Sequence, residues 1–445
     1  VALSSLATPE HSTTPGLTER HGYEPTWIHG TERFGSRLGL GRMGRLLHRM
    51  GDPHLKVPYI HVAGTNGKGS TTTMIASALT AGGFKTGKFI SPFILEFRER
   101  MQIDSEMIPE ETLAALATRL RPIAEEFKAA GDPPTEFELV TVLGLTWFAE
   151  AGCDIAVLEV GLGGRLDATN IIPPPLVAVI TRIDYDHTAI LGDTLAAIAR
   201  EKCGILKRGS TVICYPDQEE EALAVIRRRA KEEDDPLILP DRTALSVLSA
   251  DLTGSRILYR GQEIFIPLPG PHQVLNTITA VEALNALSSS RFALPPSAIA
   301  AGIAAARFPA RLELLRQSPP VLVDGAHNPN GGRALCEALK ALDLHDLTAV
   351  VGMLRDKDCL PVLRMMAPYC ARMIITTVPN PRSCPAEEFA ELARGVCRDI
   401  TICPDCEEAA RLALATAGEH GVLVFGSLYL ASAVRPVMLE ALKKN

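Results

Sequence analysis

Short apolar runs alternate with helical patterns along most of this 445-residue chain. In the first half the runs lie at residues 59–62, 85–90, 155–160 and 176–181, and the last two lack polar alternation. Apolar positions at helical spacing occupy 73–79, 109–130 and 137–151, and residues 20–56 form a helical lead-in. Strands that alternate with helices predict a parallel sheet covered by helices on both faces.

The pattern of apolar and polar residues changes between residues 236 and 269, where short apolar runs are separated by Pro, Asp and Gly. The runs are 237–239, 245–248, 257–259 and 264–266, and Arg260-Gly261 between two of them indicates a hairpin. This pattern predicts a small antiparallel sheet appended to the first domain. A helix over 272–288 closes that half.

The remainder predicts a second parallel α/β sheet of the Rossmann type, with strands at 321–323, 349–351, 373–377, 400–402 and 422–425. The length suits two or three domains. We therefore expect an α/β protein with an N-terminal P-loop domain at residues 1–307 and a C-terminal domain at residues 308–445.

Composition narrows the function classes. The chain is 46% hydrophobic and 22% charged, and its net charge of −7 argues against general nucleic-acid binding. No run of about 18 apolar residues predicts a membrane span, and residues 2–17 lack the features of a secretion signal. Ten cysteines in so long a chain do not make a disulfide scaffold. A reduced, cytoplasmic enzyme is expected.

The most informative stretch is VPYIHVAGTNGKGSTTT at residues 57–73, in which a strand, a glycine turn and a helix follow one another. Glycines let backbone N–H groups approach phosphate oxygens, and the helix N-terminus adds partial positive charge. Lys68 could reach the outer phosphates, and Ser70 or Thr71 could bind Mg²⁺. Gly69 separates the lysine from the hydroxyl, which is an unusual spacing. The alternative is a chance glycine-rich turn.

Other polar residues follow neighbouring strands, and the carboxyl ends of parallel strands meet at one edge of a sheet. Ser91, Glu159 and His187, with Asp184 and Asp186 beside the histidine, therefore predict a magnesium site near the glycine turn. The alternatives are a buried, paired Glu159 and capping roles for Ser91 and His187.

Three further features complete the candidate site. The loop at 161–170, with three glycines, could hold a flat ligand, or it could be a tight turn with surface charges. Lys202 could be a surface lysine or, near magnesium, could add CO₂ and become a carbamate. In the second half, Asp324 and His327 follow a strand in DGAHNP, as Ser427 follows the last strand, and Arg311 precedes them in FPARLEL.

With these residues in place, the chain resembles the folylpolyglutamate synthase/dihydrofolate synthase family of the Mur ligase superfamily. The resemblance runs from about residue 39 to residue 430. It rests on GTNGKGS (64–70), ISPF (90–93), EVGLGGRLDATN (159–170), DHTAILG (186–192), REKCGI (200–205), HQVLN (272–276), PARLE (309–313), DGAHNP (324–329) and FGSLY (425–429). One departure is FILEFRERM after Ser91-Pro92, where many relatives have histidine-leucine, so the pterin pocket near Phe93 and Ile94 could differ.

The resemblance implies an ATP-dependent amide ligase. ATP phosphorylates a carboxylate of dihydropteroate or a folate, and the amine of L-glutamate attacks the acyl phosphate. It also implies two Mg²⁺ ions, small-molecule substrates and a monomer.

The resemblance further assigns roles by position. The implied ATP site comprises Gly64, Thr65, Asn66, Gly67, Lys68, Gly69, Ser70, Asn276, Arg311 and Asp324. The implied metal ligands are Ser70, Ser91, Glu159 and His187, with Lys202 carbamylated. Substrate-binding positions are Phe93, Arg165, Asp167, Ala168, Thr169, Arg382 and Ser427, and Lys68, Lys202 and His327 are the implied catalytic residues.

Two alternatives stay open from the sequence. Another Mur-type ligase could act on a peptidoglycan precursor, but only about 56 residues precede the first sheet, whereas those enzymes usually carry a separate N-terminal domain. A P-loop ATPase could drive a partner, but the second α/β domain with its DGAHNP turn argues against it.

Overall fold

The computed structural model describes residues 26–29 and 39–444. Its helices are α1 (Thr26–His29), α2 (Gly41–Arg49), α3 (Lys68–Ala81), α4 (Glu110–Ala129), α5 (Glu136–Glu150), α6 (Thr188–Leu191), α7 (Leu195–Lys202), α8 (Glu220–Glu233), α9 (Pro271–Asn285), α10 (Pro296–Ala305), α11 (Pro329–Ala341), α12 (Cys359–Met366), α13 (Ala386–Arg394), α14 (Cys406–Thr416) and α15 (Leu428–Lys444).

The strands form three sheets. They are β1 (Tyr59–Ala63), β2 (Thr86–Phe89), β3 (Met101–Ile103), β4 (Glu106–Met107), β5 (Ile155–Glu159), β6 (Val177–Ile180), β7 (Thr211–Cys214), β8 (Leu237–Ile238), β9 (Leu245–Asp251), β10 (Gly254–Tyr259), β11 (Gln262–Ile266), β12 (Glu313–Arg316), β13 (Val321–Val323), β14 (Leu347–Val351), β15 (Cys370–Ile375), β16 (Ile400–Ile402) and β17 (Val422–Phe425).

The first sheet has eight strands in the order β4-β3-β2-β5-β1-β6-β7-β8. Strands β2, β5, β1, β6, β7 and β8 run parallel, and β3 and β4 add an antiparallel edge that the sequence analysis did not predict. Strand β1 lies between β5 and β6 and is wholly buried, because side chains on both of its faces meet helices. This central position places the glycine turn at the middle of the sheet's carboxyl edge.

The predicted antiparallel sheet exists but has three strands, in the order β11-β10-β9. The assignment of residues 237–239 to it was wrong, because β8 pairs in parallel with β7 at the edge of the first sheet. Strand β7 was missed, and without it the 237–239 run had no parallel neighbour to join.

The second large sheet has six strands in the order β12-β13-β17-β14-β15-β16. All five predicted strands are present and parallel, but β12 pairs antiparallel with β13, so the sheet is mixed rather than purely parallel. Along the chain, the strands of the eight-stranded sheet come before the segment 306–312 and those of the six-stranded sheet come after it. The domain boundary at 307/308 stays a prediction.

The helical lead-in contains α2, whose Met43, Leu46 and Leu47 are buried as the apolar spacing predicted. Residues 20–25 and 30–38 of that lead-in lie outside the described part of the chain. None of the described helices is both long enough and apolar enough to cross a membrane.

Candidate active site

The glycine turn between β1 and α3 depends on close approaches by residues distant in sequence. Gly67 has a φ of +85°, and a Cβ there would lie 2.4 Å from Asn276 Oδ1. A Cβ on Gly69 would lie 2.6 Å from Cζ of Phe308. The unusual glycine after the lysine is therefore explained by a ring from the inter-sheet segment that packs on the first turn of α3.

Lys68 is folded back onto the turn. Its Nζ donates hydrogen bonds to the carbonyl oxygens of Gly64 and Thr65, both at 3.1 Å. Burial lowers the pKa of Lys68, and the nearby carboxylates of Glu159 and Asp186 oppose that shift. A phosphate chain entering the turn would offer this amine a stronger, anionic partner than the two carbonyls.

Several of the residues predicted to bind magnesium lie close to this turn. Glu159 is buried at the end of β5, and its Oε2 accepts the backbone N–H of Ser91 at 3.2 Å. The Ser70 hydroxyl lies 3.2 Å from Nε2 of Gln273. His187 lines one small pocket together with Gly64, Lys68, Asp186 and Lys202. The charge of Lys68 acts on both Glu159 and His187, and Ser70 lies two residues after that lysine on α3. Asp184 accepts the N–H of Tyr185.

The donor set fits a hard cation. A carboxylate, two hydroxyls and an imidazole are ligands that Mg²⁺ tolerates in proteins, with oxygen preferred. Burial raises the pKa of Glu159, against the nearby charge of Lys68. Burial makes the ionised carboxylate unfavourable, and a metal ion beside it would stabilise that ionised form.

Lys202 is buried rather than on the surface, so the surface-lysine alternative is wrong. Its Nζ donates a 2.7 Å hydrogen bond to the Gly64 carbonyl. Burial, followed by repulsion from Lys68, lowers the pKa of Lys202 to about 7. A large fraction of this amine is therefore neutral near neutral pH, as addition to CO₂ requires.

The loop at 161–170 is held by Asp167. Its carboxylate accepts the N–H groups of Leu162 (2.8 Å) and Thr169 (3.0 Å), and the Thr169 hydroxyl lies 2.9 Å from Nε2 of buried His61. Ala168 and Thr169 are buried. Arg165 points to solvent, 55% exposed in an ion pair with Glu201. Hydrogen bonds to Asp167 therefore fix the conformation of the loop, whereas the Arg165 side chain lies at the surface.

Two groups of residues make up the candidate site. The first wall is the glycine turn at 64–70 with the polar residues that follow β2, β5 and β6, and the second wall is the turn after β13 with the segment 306–312 before β12. Asp324 is buried, and its two oxygens accept the N–H groups of Leu312 and Ala326, both at 2.7 Å. The Arg311 guanidinium lies 5.5 Å from the centroid of the Phe308 ring. Burial raises the pKa of Asp324, and the charge of Arg311 opposes that shift. Burial lowers the pKa of Lys68, and the charge of Arg311 adds to that shift, so Arg311 belongs to the second wall and acts on both residues.

Comparison with known proteins agrees with this geometry. The family model for the Mur ligase middle domain matches residues 62–284, and that for the Mur ligase glutamate ligase domain matches residues 310–428. The folylpolyglutamate synthase of Lacticaseibacillus casei is 36% identical over 427 residues, which cover 93% of this chain and 97% of the relative. The dihydrofolate synthase/folylpolyglutamate synthase of Bacillus subtilis is 35% identical over 421 residues, 92% of this chain and 97% of the relative.

Among solved structures, Escherichia coli FolC in complex with DHPP and ADP superposes with a TM-score of 0.81 at 31% identity, covering 94% of this chain and 97% of that one. The chain belongs to the folylpolyglutamate synthase/dihydrofolate synthase family of Mur ligases. The family, the fold class and the enzyme class that the motifs predicted are confirmed.

The residues that the family resemblance placed near glutamate differ in burial and in their hydrogen-bond partners. His327 lies with Nδ1 2.8 Å from the Gly325 carbonyl, and burial lowers its pKa, so Nδ1–H donates and Nε2 is an acceptor. Ser427 is buried, and its Oγ accepts the N–H of Tyr429 at 3.1 Å. Arg382 is half exposed and pairs with Asp356 at 3.2 Å. The structure brings His327 to the cleft but leaves Arg382 at the surface.

Apolar side chains follow Ser91-Pro92, where the resemblance implied a pterin pocket. Phe93 is partly buried, with the Arg100 guanidinium 5.2 Å from its ring centroid, and Ile94 is buried. The backbone N–H of Ile94 donates to Glu99 at 2.8 Å, so the departure from the usual histidine-leucine forms an ordered loop.

Two residues that interact with the candidate site residues were not singled out from the sequence. Gln273 is buried; its Nε2 lies 3.2 Å from Ser70 Oγ, and its Oε1 accepts from Asn276 Nδ2 at 3.1 Å. It lies within the HQVLN motif, which was the available signal. Lys357 follows β14, and its charge lowers the pKa of both His187 and His327. Its place after a strand's carboxyl end was the same signal that identified Ser91.

Proposed function

We propose that this protein uses ATP to join L-glutamate to dihydropteroate, to the γ-carboxyl of a folate, or to both, through an acyl phosphate. The observation that carries the proposal is direct contact between the two walls. Asn330, three residues after His327, donates a hydrogen bond from Nδ2 to the Tyr185 carbonyl at 2.7 Å, and Arg333 lies 3.8 Å from Asp184.

The first wall contributes Lys68 at the start of α3 and Glu159 at the end of β5, and the second contributes Arg311 before β12 and Asp324 and His327 after β13. A simple ATPase needs the first wall only, whereas joining two further substrates needs a second.

The proposed ATP site runs along the glycine turn and ends on the second wall. Residues Gly64 to Ser70 hold the phosphates, with Asn276 and Arg311 beside them and Asp324 at the ribose or adenine end. In support, Asn276 Oδ1 approaches Gly67 too closely for a Cβ, and FolC of Escherichia coli was solved with ADP.

Ser70, Ser91, Glu159 and His187 are the proposed ligands of magnesium, with two ions expected. Magnesium supplies charge neutralisation between the phosphates. Lys202 is proposed to be carbamylated. Its neutral amine would add CO₂ and lose a proton, which replaces a buried cation with an anion. The carbamate nitrogen keeps one N–H, enough for the existing bond to the Gly64 carbonyl.

The acid substrate is proposed to lie against Phe93 and the Asp167–Thr169 turn, with Arg165 at its outer end. The incoming glutamate is proposed to lie near His327, Ser427 and Arg382. Glutamate carries two carboxylates, and Lys357 is a second candidate cation, since its charge adds to the burial that lowers the pKa of His327, whereas Arg382 is exposed and paired with Asp356.

The chemistry follows from the charges. A carboxylate is a poor electrophile until its oxygen becomes a leaving group. The substrate carboxylate attacks the γ-phosphorus of ATP, and ADP departs. The glutamate amine then attacks the acyl carbon, loses a proton, and phosphate leaves as the amide forms. Lys68 and Arg311 hold the negative charge that develops on the phosphoryl oxygens.

Nε2 of His327, an acceptor in the structure, is a candidate to receive the proton from the attacking amine. We further propose that the enzyme is a cytoplasmic monomer that acts on no nucleic acid and no membrane. The rival Mur-type reaction on a peptidoglycan precursor is disfavoured by the high coverage of folylpolyglutamate synthases.

The experiment that tests the substrate class follows labelled glutamate into product with dihydropteroate and tetrahydrofolate side by side. Incorporation into either acid supports the proposal, and the ratio distinguishes a monofunctional from a bifunctional enzyme. Incorporation into a UDP-linked peptidoglycan precursor, with neither pterin acid accepted, would contradict it.

A further inference from the structure

The turn that carries Arg311 has an unusual backbone. Ala310 has a φ of +52° and Leu312 a φ of +45°, so both residues flanking Arg311 adopt the left-handed region. Residues with side chains rarely adopt that region unless the surroundings hold them there. The direction of Arg311 is thus imposed by neighbouring groups.

Those groups can be identified. The N–H of Leu312 donates to Asp324 at 2.7 Å, and the N–H of Ala310 donates to Glu313 Oε2 at 3.1 Å. The carbonyl of Ala310 accepts the N–H of Gly325 at 2.9 Å. The N–H groups of both strained residues therefore end on carboxylates, one of which belongs to the proposed ATP site and one of which does not.

The second carboxylate, Glu313, is fixed by Arg435. Nε of Arg435 lies 3.0 and 2.8 Å from the two oxygens of Glu313, and its Nη2 lies 2.6 Å from Oε1. The two side chains are only 22% and 20% exposed. A planar, two-point contact of this kind fixes the carboxylate in direction as well as in place.

Arg435 lies on α15, about two helical turns after Ser427 at the start of that helix. A single chain of contacts therefore runs from α15 through Glu313 and Ala310 to Arg311. Glu313 raises the pKa of Arg435, and the charge of Glu99 adds to that shift. The oxygens of Glu99 accept the N–H groups of Ile94 and Leu95 in the loop that begins at Ser91.

We propose that Arg435 is a positioning residue for ATP: it holds Glu313, and through it the 309–313 turn, so that Arg311 faces the phosphates. The inference rests on the proposed function, in which Arg311 contacts ATP. The competing explanation is an ion pair that only anchors α15 to β12, with no effect on Arg311.

A double-mutant cycle separates these explanations. The ATP KM and kcat are measured for wild type, Arg311→Gln, Arg435→Gln and the double variant, with Arg435→Lys as the conservative change. Lys444→Gln is the matched control, because it breaks an exposed ion pair with Glu440 on the same helix. Melting temperatures are recorded for every variant.

We expect Arg435→Gln to raise the ATP KM or lower kcat/KM by about tenfold to 100-fold, since a misplacement of about 1 Å can cost the larger factor. In the Arg311→Gln background the same change should add almost nothing, because its target is gone. Arg435→Lys should fall between wild type and Arg435→Gln, and it replaces Arg435→Gln in the cycle if that variant does not fold. Lys444→Gln should behave as wild type.

Multiplicative losses in the double variant would overturn the inference, as would an Arg435→Gln enzyme with lower melting temperature and unchanged ATP kinetics. An Arg311→Gln enzyme with normal ATP kinetics would also overturn it, because there would be nothing to position. Failure of the proposed function looks different: wild-type protein would then release phosphate without any need for glutamate.

Discussion

The two walls of the cleft are built by different means. On the first wall, Ser91, Glu159 and the glycine turn follow neighbouring parallel strands, so the backbone of the sheet places them. On the second wall, Arg311 depends on side chains that bind a strained turn, chiefly Asp324 and Glu313. We therefore expect the geometry of the first wall to depend less on any single side-chain contact. A wall placed by side chains can be shifted by one substitution.

The largest expected effect tests the chemistry of the first wall. Lys68→Ala should lower kcat/KM on the order of 1,000-fold, because it removes a charged donor from the developing phosphoryl charge. The melting temperature should change little, since the hydrogen bonds that Nζ donates within the described part of the chain go to carbonyls of its own turn. Steady-state kinetics and thermal melting measure both, with exposed Lys443→Ala as control. Substantial remaining activity would remove Lys68 from the phosphate site.

Glu159→Gln sharpens the assignment of that wall to magnesium. The amide oxygen can still accept the N–H of Ser91, so the geometry survives while the charge is lost. We expect the Mg²⁺ concentration at half-maximal activity to rise by at least about tenfold. Glu150→Gln, in an exposed pair with Arg119, is the control. An unchanged magnesium titration would count against the metal role of Glu159.

Gly69→Ala tests whether the walls are coupled. The new Cβ would lie 2.6 Å from the Phe308 ring, which must move and carry Arg311 with it. Overpacking of this kind costs about 1–3 kcal/mol of the free energy of unfolding. We expect a lower melting temperature together with a several-fold higher ATP KM. Gly395→Ala, whose nearest neighbour is 3.6 Å away, is the matched control. Lower stability with an unchanged ATP KM would show that the walls are independent.

The smallest effect is a pH dependence from Lys202. Its pKa of about 7 in the folded protein lies below the ordinary value of 10.5 because of burial. Between these values the unfolded chain binds more protons than the folded one, so the free energy of unfolding should rise with pH. Without CO₂, wild type should show a steeper rise from pH 7 to pH 9 than Lys202→Met. Parallel stability profiles would contradict the shifted pKa.

The same difference between the walls explains what the sequence could and could not predict. The position of Ser91, Glu159 and His187 at one edge of the first sheet could be predicted because apolar runs reveal strands, and strand ends share an edge; their role as metal ligands stays a prediction. The bridge from Gln273 to Ser70 could not be predicted, because it depends on how α9 packs against α3. Arg165 and Arg382 matched motif positions, yet their side chains face solvent in ion pairs, a fact of tertiary packing. Strand β8 was misplaced because its partner β7 went unrecognised.

One measurement tests the central claim most directly. Phosphate release from ATP and glutamate incorporation are followed together, with the pterin acid and L-glutamate each present or absent. A ligase with two interdependent walls predicts one phosphate per amide formed and little release when either substrate is missing. Steady phosphate release without the pterin acid or without glutamate would contradict the account.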